Sequence, residues 1–260
     1  MAVKKTKKLS AQQVTTTVAS GEKFAKVDAN GKVTLVDLQH LQSELLGGVN
    51  LDCMLDNVFI MYHAKDDNYP RMVKPHLWAA LQSRGEVADG VVIVEGGKVL
   101  VVAPTEADSA GLPWSSAAVS GGAFTTNDRL TLLNDWAGKA NTAAIIAAST
   151  STAITNTNAY APGFCNLYSR VNANGKGLTA GKWWLPSIGE LMMMSANKTK
   201  IDYALSLING ATCLREAWYW SSAKSSANQS WYLHFNSGYL GTGFVSDTKK
   251  GVRPVSAFIS

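Results

Sequence analysis

Cysteine is scarce in this chain and scattered. Cys53, Cys165 and Cys213 are odd in number, widely spaced, and include no C-x-x-C pair. This excludes a disulfide framework and a cysteine zinc site, and predicts buried free thiols in a chain made in a reducing compartment. His40, His63, His76 and His234 never fall at ligand spacing or beside a cysteine, so no metal centre is expected from them. No apolar run approaches the ~18 residues that a membrane-spanning helix needs. The basic start is followed by Leu9-Ser10-Ala11-Gln12-Gln13-Val14, which is not the apolar core of a signal peptide. No serine sits in a G-x-S-x-G elbow, and Gly96-Gly97 and Gly121-Gly122 lack the Lys-Ser/Thr ending of a phosphate loop. Both glycine pairs read as turns.

Charge is sparse too, at 17% of residues, with a net value of +5. Lys4, Lys5, Lys7 and Lys8 supply four of those units before any folded segment begins. They read as a solvated basic arm, not as a nucleic-acid surface. Asp66-Asp67-Asn68 and Asn127-Asp128 offer oxygen atoms of the kind that calcium takes. Surface turns use the same residues, and the full twelve-residue calcium loop is missing. Neither a metal nor a cofactor is expected.

What is present is an ordinary apolar share of 46% over 260 residues, enough for one sizeable domain and an appendage. Residues 1–12 form the basic arm, 13–50 a small N-terminal segment, and 51–260 a loop-rich α+β domain. In the segment, Asn30-Gly31 between extended runs signals a hairpin. Leu38, Leu41 and Leu45 share one face of a short helix over 37–46 that suits packing against a partner chain. In the domain, Val91–Val94 and Val99–Ala103, joined through Glu95-Gly96-Gly97-Lys98, predict a buried central hairpin. Two helices are expected. One spans Thr126 to about Ala148 with a break near Gly138, and the other follows the capping box Ser187-x-x-Glu190. Residues 149–180 read as a surface excursion. Trp183-Trp184 reads as a buried anchor, and Met192-Met193-Met194 as core packing.

The last forty-odd residues alternate apolar and polar side chains, are dense in aromatics, and are broken by Gly and Ser. They predict short twisted antiparallel strands. Period two assigns Leu233 and Phe235 to the core, and Tyr232, His234 and Asn236 to solvent. Tyr, His, Asn and Ser together are the residue types of recognition surfaces.

Trp183-Trp184-Leu185-Pro186-Ser187-x-Gly189-Glu190-Leu191, Tyr219-Trp220-Ser221-Ser222, Trp231-x-Leu233-x-Phe235-x-x-Gly238 and Val252-Arg253-Pro254-Val255 occur in this order. The set resembles the C-type-lectin-fold variable proteins of diversity-generating retroelements and related Bacteroides and Bacteroides-phage fibre-tip domains, over about residues 90–260. The resemblance implies a C-type-lectin-like domain with short twisted strands, two helices and long loops. Trp220, Ser221, Ser222, Trp231, Phe235, Arg253 and Pro254 match scaffold positions. Tyr232, His234, Asn236, Ser237, Tyr239, Leu240, Thr242, Phe244, Ser246 and Asp247 match variable, ligand-contacting positions, and Tyr219 joins them as a candidate. The ten variable-type residues can all arise from an AAC codon by changing adenines alone. The family's relatives include formylglycine-generating enzymes with a C-terminal cysteine pair. Cys165 and Cys213 sit in no matching motif, so no enzyme activity is carried over.

With no signal peptide read, a virion fibre assembled in the cytoplasm fits better than a secreted adhesin. The expectation is a homotrimeric phage fibre, attached to other virion proteins through residues 1–50 and binding a host-surface glycan or protein. Nucleic-acid binding and membrane insertion are not expected. The alternatives are a bacterial binding protein with the same fold, diversified by a retroelement, and, last, an enzyme of the formylglycine-generating type.

Overall fold

The structure, a computed structural model, describes residues 23–27, 30–37, 57–122 and 124–258. The chain divides into two compact units, Met1–Met54 and Leu55–Ser260. In the first, β1 (Lys23–Val27) and β2 (Val33–Asp37) pair antiparallel, with Val27 opposite Val33. This is the hairpin that Asn30-Gly31 signals, and Gly31 takes the left-handed conformation (φ 77°) that such turns ask of glycine. The basic arm, the 37–46 face beyond Asp37 and Cys53 lie outside the described residues.

The second unit is a mixed α+β body with antiparallel sheets. Its larger sheet runs in the order β12 (Val255–Ser256), β6 (Lys98–Val102), β5 (Ala88–Glu95), β3 (Val58–His63), β4 (Pro70–Val73). The Val91/Val99 hairpin is β5–β6, and β5 is the central strand. Val91 and Ile93 enter one hydrophobic cluster and Val92 another, so both faces are covered and the run has no polar alternation. Glu95 pairs with Lys98 across Gly96 (φ 54°) and Gly97 (φ 73°), a two-residue turn that needs positive φ at both positions.

Where the sequence predicts two helices, the described residues form six short ones: α1 (Trp78–Gln82), α2 (Arg129–Leu133), α3 (Gly138–Ala147), α4 (Ala161–Leu167), α5 (Ile188–Ala196) and α6 (Lys198–Ser206). The break between α2 and α3 has a specific cause. The Asp135 carbonyl, which a continuous helix would use internally, accepts from Ser187 Oγ (2.7 Å) and from the Gly189 N–H (3.1 Å). Gly138 and Gly189 permit this docking. A Cβ at Gly138 would strike the Glu190 carboxylate, and one at Gly189 would meet the Trp136 ring at 2.9 Å. The Ser187/Glu190 capping box is formed as the sequence predicts. Desolvation pushes the buried Glu190 carboxyl up to about 7, more than its bonds to the Ser187 N–H and Trp184 Nε1 lower it.

Residues 149–180 are not a mere excursion. They contain α4 and the small pair β7 (Arg170–Val171) and β8 (Gly177–Leu178), with Ala161, Cys165 and Leu178 fully buried. Small residues make this possible, because a Cβ at Gly163 would collide with the Thr157 backbone. Trp183, Trp184, Met193 and Met194 are core, while Met192 is partly exposed. Cys165 is a buried free thiol as expected, but Cys213 is exposed in the link after α6. No helix of the described residues is long and apolar enough to cross a membrane.

Candidate ligand-binding face

The C-terminal segment folds into a second sheet, in the order β11 (Leu240–Phe244), β10 (Gln229–His234), β9 (Trp218–Lys224). Antiparallel register places Tyr232 opposite Trp220 and Gly241, His234 opposite Trp218, and Leu233 opposite Tyr219 and Leu240. Opposed residues share a face of the sheet. One face therefore carries Tyr219, Trp231, Leu233 and Leu240, which join the main hydrophobic cluster with Phe235. The other carries Trp218, Trp220, Tyr232 and His234. The assignment of Leu233 and Phe235 to the core by period two is correct.

At one end of the second face Trp220 is sealed beneath the loop that contains Leu112, to whose carbonyl its Nε1 donates (2.9 Å). At the other end the aromatics open to solvent. Trp218 is 39% exposed and meets Tyr232 (centroids 4.8 Å), His234 (4.7 Å) and Tyr239 (5.7 Å), all tilted or edge-on. Two glycines make room for the rings. A Cβ at Gly241 would lie 2.7 Å from both Tyr232 and Tyr239, and one at Gly243 2.9 Å from Trp220. The glycine-rich stretch is thus the floor on which the aromatic cluster rests.

Tyr232 and His234 are half-buried, and Tyr239 is 55% exposed. Asn236 and Ser237 are exposed in the 234–239 turn, where His234 Nδ1 accepts from the Ser237 N–H (3.2 Å). Ser246 and Asp247 lie in the next turn, and both are exposed. Leu240, Thr242 and Phe244 belong to the opposite pleat face: Leu240 packs on the core, Thr242 is half-buried, and Phe244 is exposed at the strand end. Phe244 therefore does not join the Trp218 cluster. Tyr219 lies beneath the surface on which the sequence reading places it. It is fully buried, donates to Glu106 (2.7 Å) and accepts from the Arg215 N–H (2.8 Å), and burial pushes its hydroxyl pKa up. The exposed aromatic of this strand is its neighbour Trp218, which period two from buried Trp220 could indicate only once the end of the cover was known.

Lys250 completes the face. Its backbone pairs with Leu112 in both directions, and its Nζ stands 3.7 Å from the Tyr232 centroid, 5.0 Å from Trp218 and 5.3 Å from Trp220. Burial holds its pKa below the ordinary lysine value. Beside it a cleft of about 120 Å³ is lined by Lys250, Lys249, Arg215, Trp218 and the Ser109–Gly111 segment. A larger groove of about 340 Å³, lined by Leu133, Trp136 and Met192, is predominantly apolar.

Other chemistry-bearing groups are committed to structure. Asp67 pairs with Arg71, Asp128 caps α2 through the Thr131 N–H (2.9 Å), and no cluster of metal ligands occurs among the described residues. His63 Nδ1 and Asp89 lie 2.6 Å apart in the interior, and desolvation, partly offset by His63, raises the Asp89 pKa. Arg253 is buried, its Nη2 donating to the Thr212 carbonyl (2.5 Å). No protein-family model, curated protein or solved structure matches the chain.

Proposed function

We propose that this chain is a receptor-binding fibre protein of a phage virion, whose Leu55–Ser260 unit is a C-type-lectin-like domain. Its recognition surface is the open aromatic end of the β9–β11 sheet. The observation that carries this reading is the Trp218–Tyr232–His234–Tyr239 cluster. Four large ring side chains meet there at a partly solvent-exposed surface, each offering contact area at low entropic cost. Trp220 and Gly241/Gly243 pack beneath that surface, and the adjoining turns 234–239 and 245–250 carry exposed polar residues. A packed scaffold that presents polar turns beside exposed aromatics is an arrangement suited to a binding module.

Cys165 is fully buried, with its thiol pKa raised well above the ordinary value, so it does not serve a solvent-accessible cysteine chemistry. The separate Met1–Met54 unit suits a division of labour, with attachment to other virion proteins through that unit and homotrimer formation as in other fibres. The test is mass spectrometry of purified virions from the source of the gene. The chain should appear in stoichiometric amounts, and its absence from particles would sink the virion assignment.

A further inference from the structure

The cleft beside Trp218 has a charge that the rest of the face does not explain. Arg215, Lys249 and Lys250 are among the residues that line it. Of the three, only Arg215 has an acidic partner among the described residues, through Nε to Glu106 (2.6 Å). Arg215 Nη1 donates to the Ser109 carbonyl (2.5 Å), and its Nη2 is buried with no hydrogen-bond partner among the described residues. Lys250 Nζ is surrounded by three rings, which attract the ammonium but supply no anion. The Arg215 guanidinium is thus held by Glu106 and Ser109, whereas the Lys250 ammonium has ring contacts and no paired acid among the described residues. An anionic group entering the cleft would meet the unpaired ammonium charges of Lys249 and Lys250.

We propose that this cleft binds an acidic sugar residue, with the carboxylate or sulfate held by Lys250 and Lys249 and the apolar ring face laid against Trp218. The inference rests on the receptor-binding reading of the face and names the chemical class of its ligand. Two features favour a saccharide over an acidic peptide. The cleft, at about 120 Å³, accommodates an acid group and the edge of one sugar ring. The β9 edge beside it is already closed by the Tyr219–Gly251 bridge, so no peptide strand can add there through its main chain. Gly111 keeps the cleft's rim tight: a side chain at this left-handed position (φ 72°) would run into the Lys250 carbonyl.

The experiment is binding of the full chain to an array carrying matched carboxylated, sulfated and neutral oligosaccharides, with polyglutamate as the acidic-peptide arm. Acidic members should be bound and their neutral counterparts not. Lys249→Gln/Lys250→Gln should weaken that binding by at least ~10-fold, because each lost contact is a charge-assisted hydrogen bond. Lys250→Arg should retain most of it, and raising salt from about 50 to 500 mM should weaken the wild type. The exposed Lys249→Gln alone, which leaves the ring contacts intact, should show a smaller loss in the same direction.

Equal binding of neutral and acidic sugars, or no loss in the lysine variants, overturns the acidic-sugar inference. If Trp218→Ala and Tyr239→Ala still abolish binding in that case, the receptor face stands and only its ligand class is wrong. Preference for polyglutamate assigns the cleft to acidic peptides instead. Failure to bind any member of the array also rejects the inference.

Discussion

Lys250 Nζ lies 3.7 Å from the centre of the Tyr232 ring, joining two residues eighteen positions apart in the chain over one aromatic surface. The contact depends on backbone geometry as much as on attraction. Both Lys250–Leu112 hydrogen bonds fix where the side chain starts, and the bare Cα of Gly243 leaves room for its stem. Removing the charge while keeping an unbranched stem, as in Lys250→Met, should cost only about 1 kcal/mol of stability. Chemical denaturation of the variant measures this. A loss several times larger would mean that the ammonium has a structural role beyond ring contact.

The glycines of β11 give a sharper structural test. Gly241→Val places a branched side chain where Tyr232 and Tyr239 now lie within 2.7 Å of the Cβ position. The rings must move, at a cost of about 1–3 kcal/mol. Near-ultraviolet circular dichroism should show the aromatic cluster disturbed and the far-ultraviolet signal unchanged. An unaltered aromatic signal would contradict the packing described.

Trp218 and Trp220 share a strand face but not an environment. Trp220→Ala empties a fully buried site and should destabilise by about 3–5 kcal/mol. Trp218→Ala removes a partly exposed ring and should cost about 1 kcal/mol or less. Equal losses in urea unfolding would show that the two rings are equally buried.

Glu190 sets a pH dependence whose sign follows from its raised pKa. Folded, the carboxyl titrates near 7; unfolded, it returns to about 4.5. Between these values the folded state holds the proton more tightly, so this group's contribution to stability falls as pH rises through that window. The full effect is about 3 kcal/mol and is complete above pH ~7. The Glu190→Gln variant carries an amide at this position and has no such titration. Its melting temperature relative to wild type should therefore rise by several degrees between about pH 5 and pH 8. A constant difference would mean that Glu190 ionises normally in the fold.

Much of this fold is legible wherever a local signal and its partner lie close in sequence. Gly96-Gly97 specify both the turn and the register of β5–β6, and Ser187 with Glu190 specify a helix start. Alternation around Leu233 separates two faces without long-range information. It does not say which parts of a face are covered, and that is decided by the 109–116 and 245–252 segments. Hence Tyr219, expected at the surface, is buried, while Trp218, which the pattern does not single out, is exposed. Phe244 is expected beside Tyr232, but the β10–β11 register puts it on the other pleat. The α2–α3 break is signalled by Gly138 alone; its cause, the Asp135 carbonyl bonding to Ser187 and Gly189, joins segments about fifty residues apart. The Lys250 cluster is illegible for the same reason. The C-terminal motifs suggest a recognition face, and its geometry requires the folded chain.

The central claim is that the Trp218–Tyr239 end of the β9–β11 sheet makes the receptor contact. Its most direct test is adsorption to host cells of particles carrying Trp218→Ala/Tyr239→Ala, measured beside wild type. The double variant should assemble normally and melt within a few degrees of wild type, because both rings are substantially exposed. Its adsorption should fall by at least ~10-fold, as loss of two central aromatic anchors implies. Undiminished adsorption by stable, fully assembled variant particles would place the receptor contact elsewhere on the molecule.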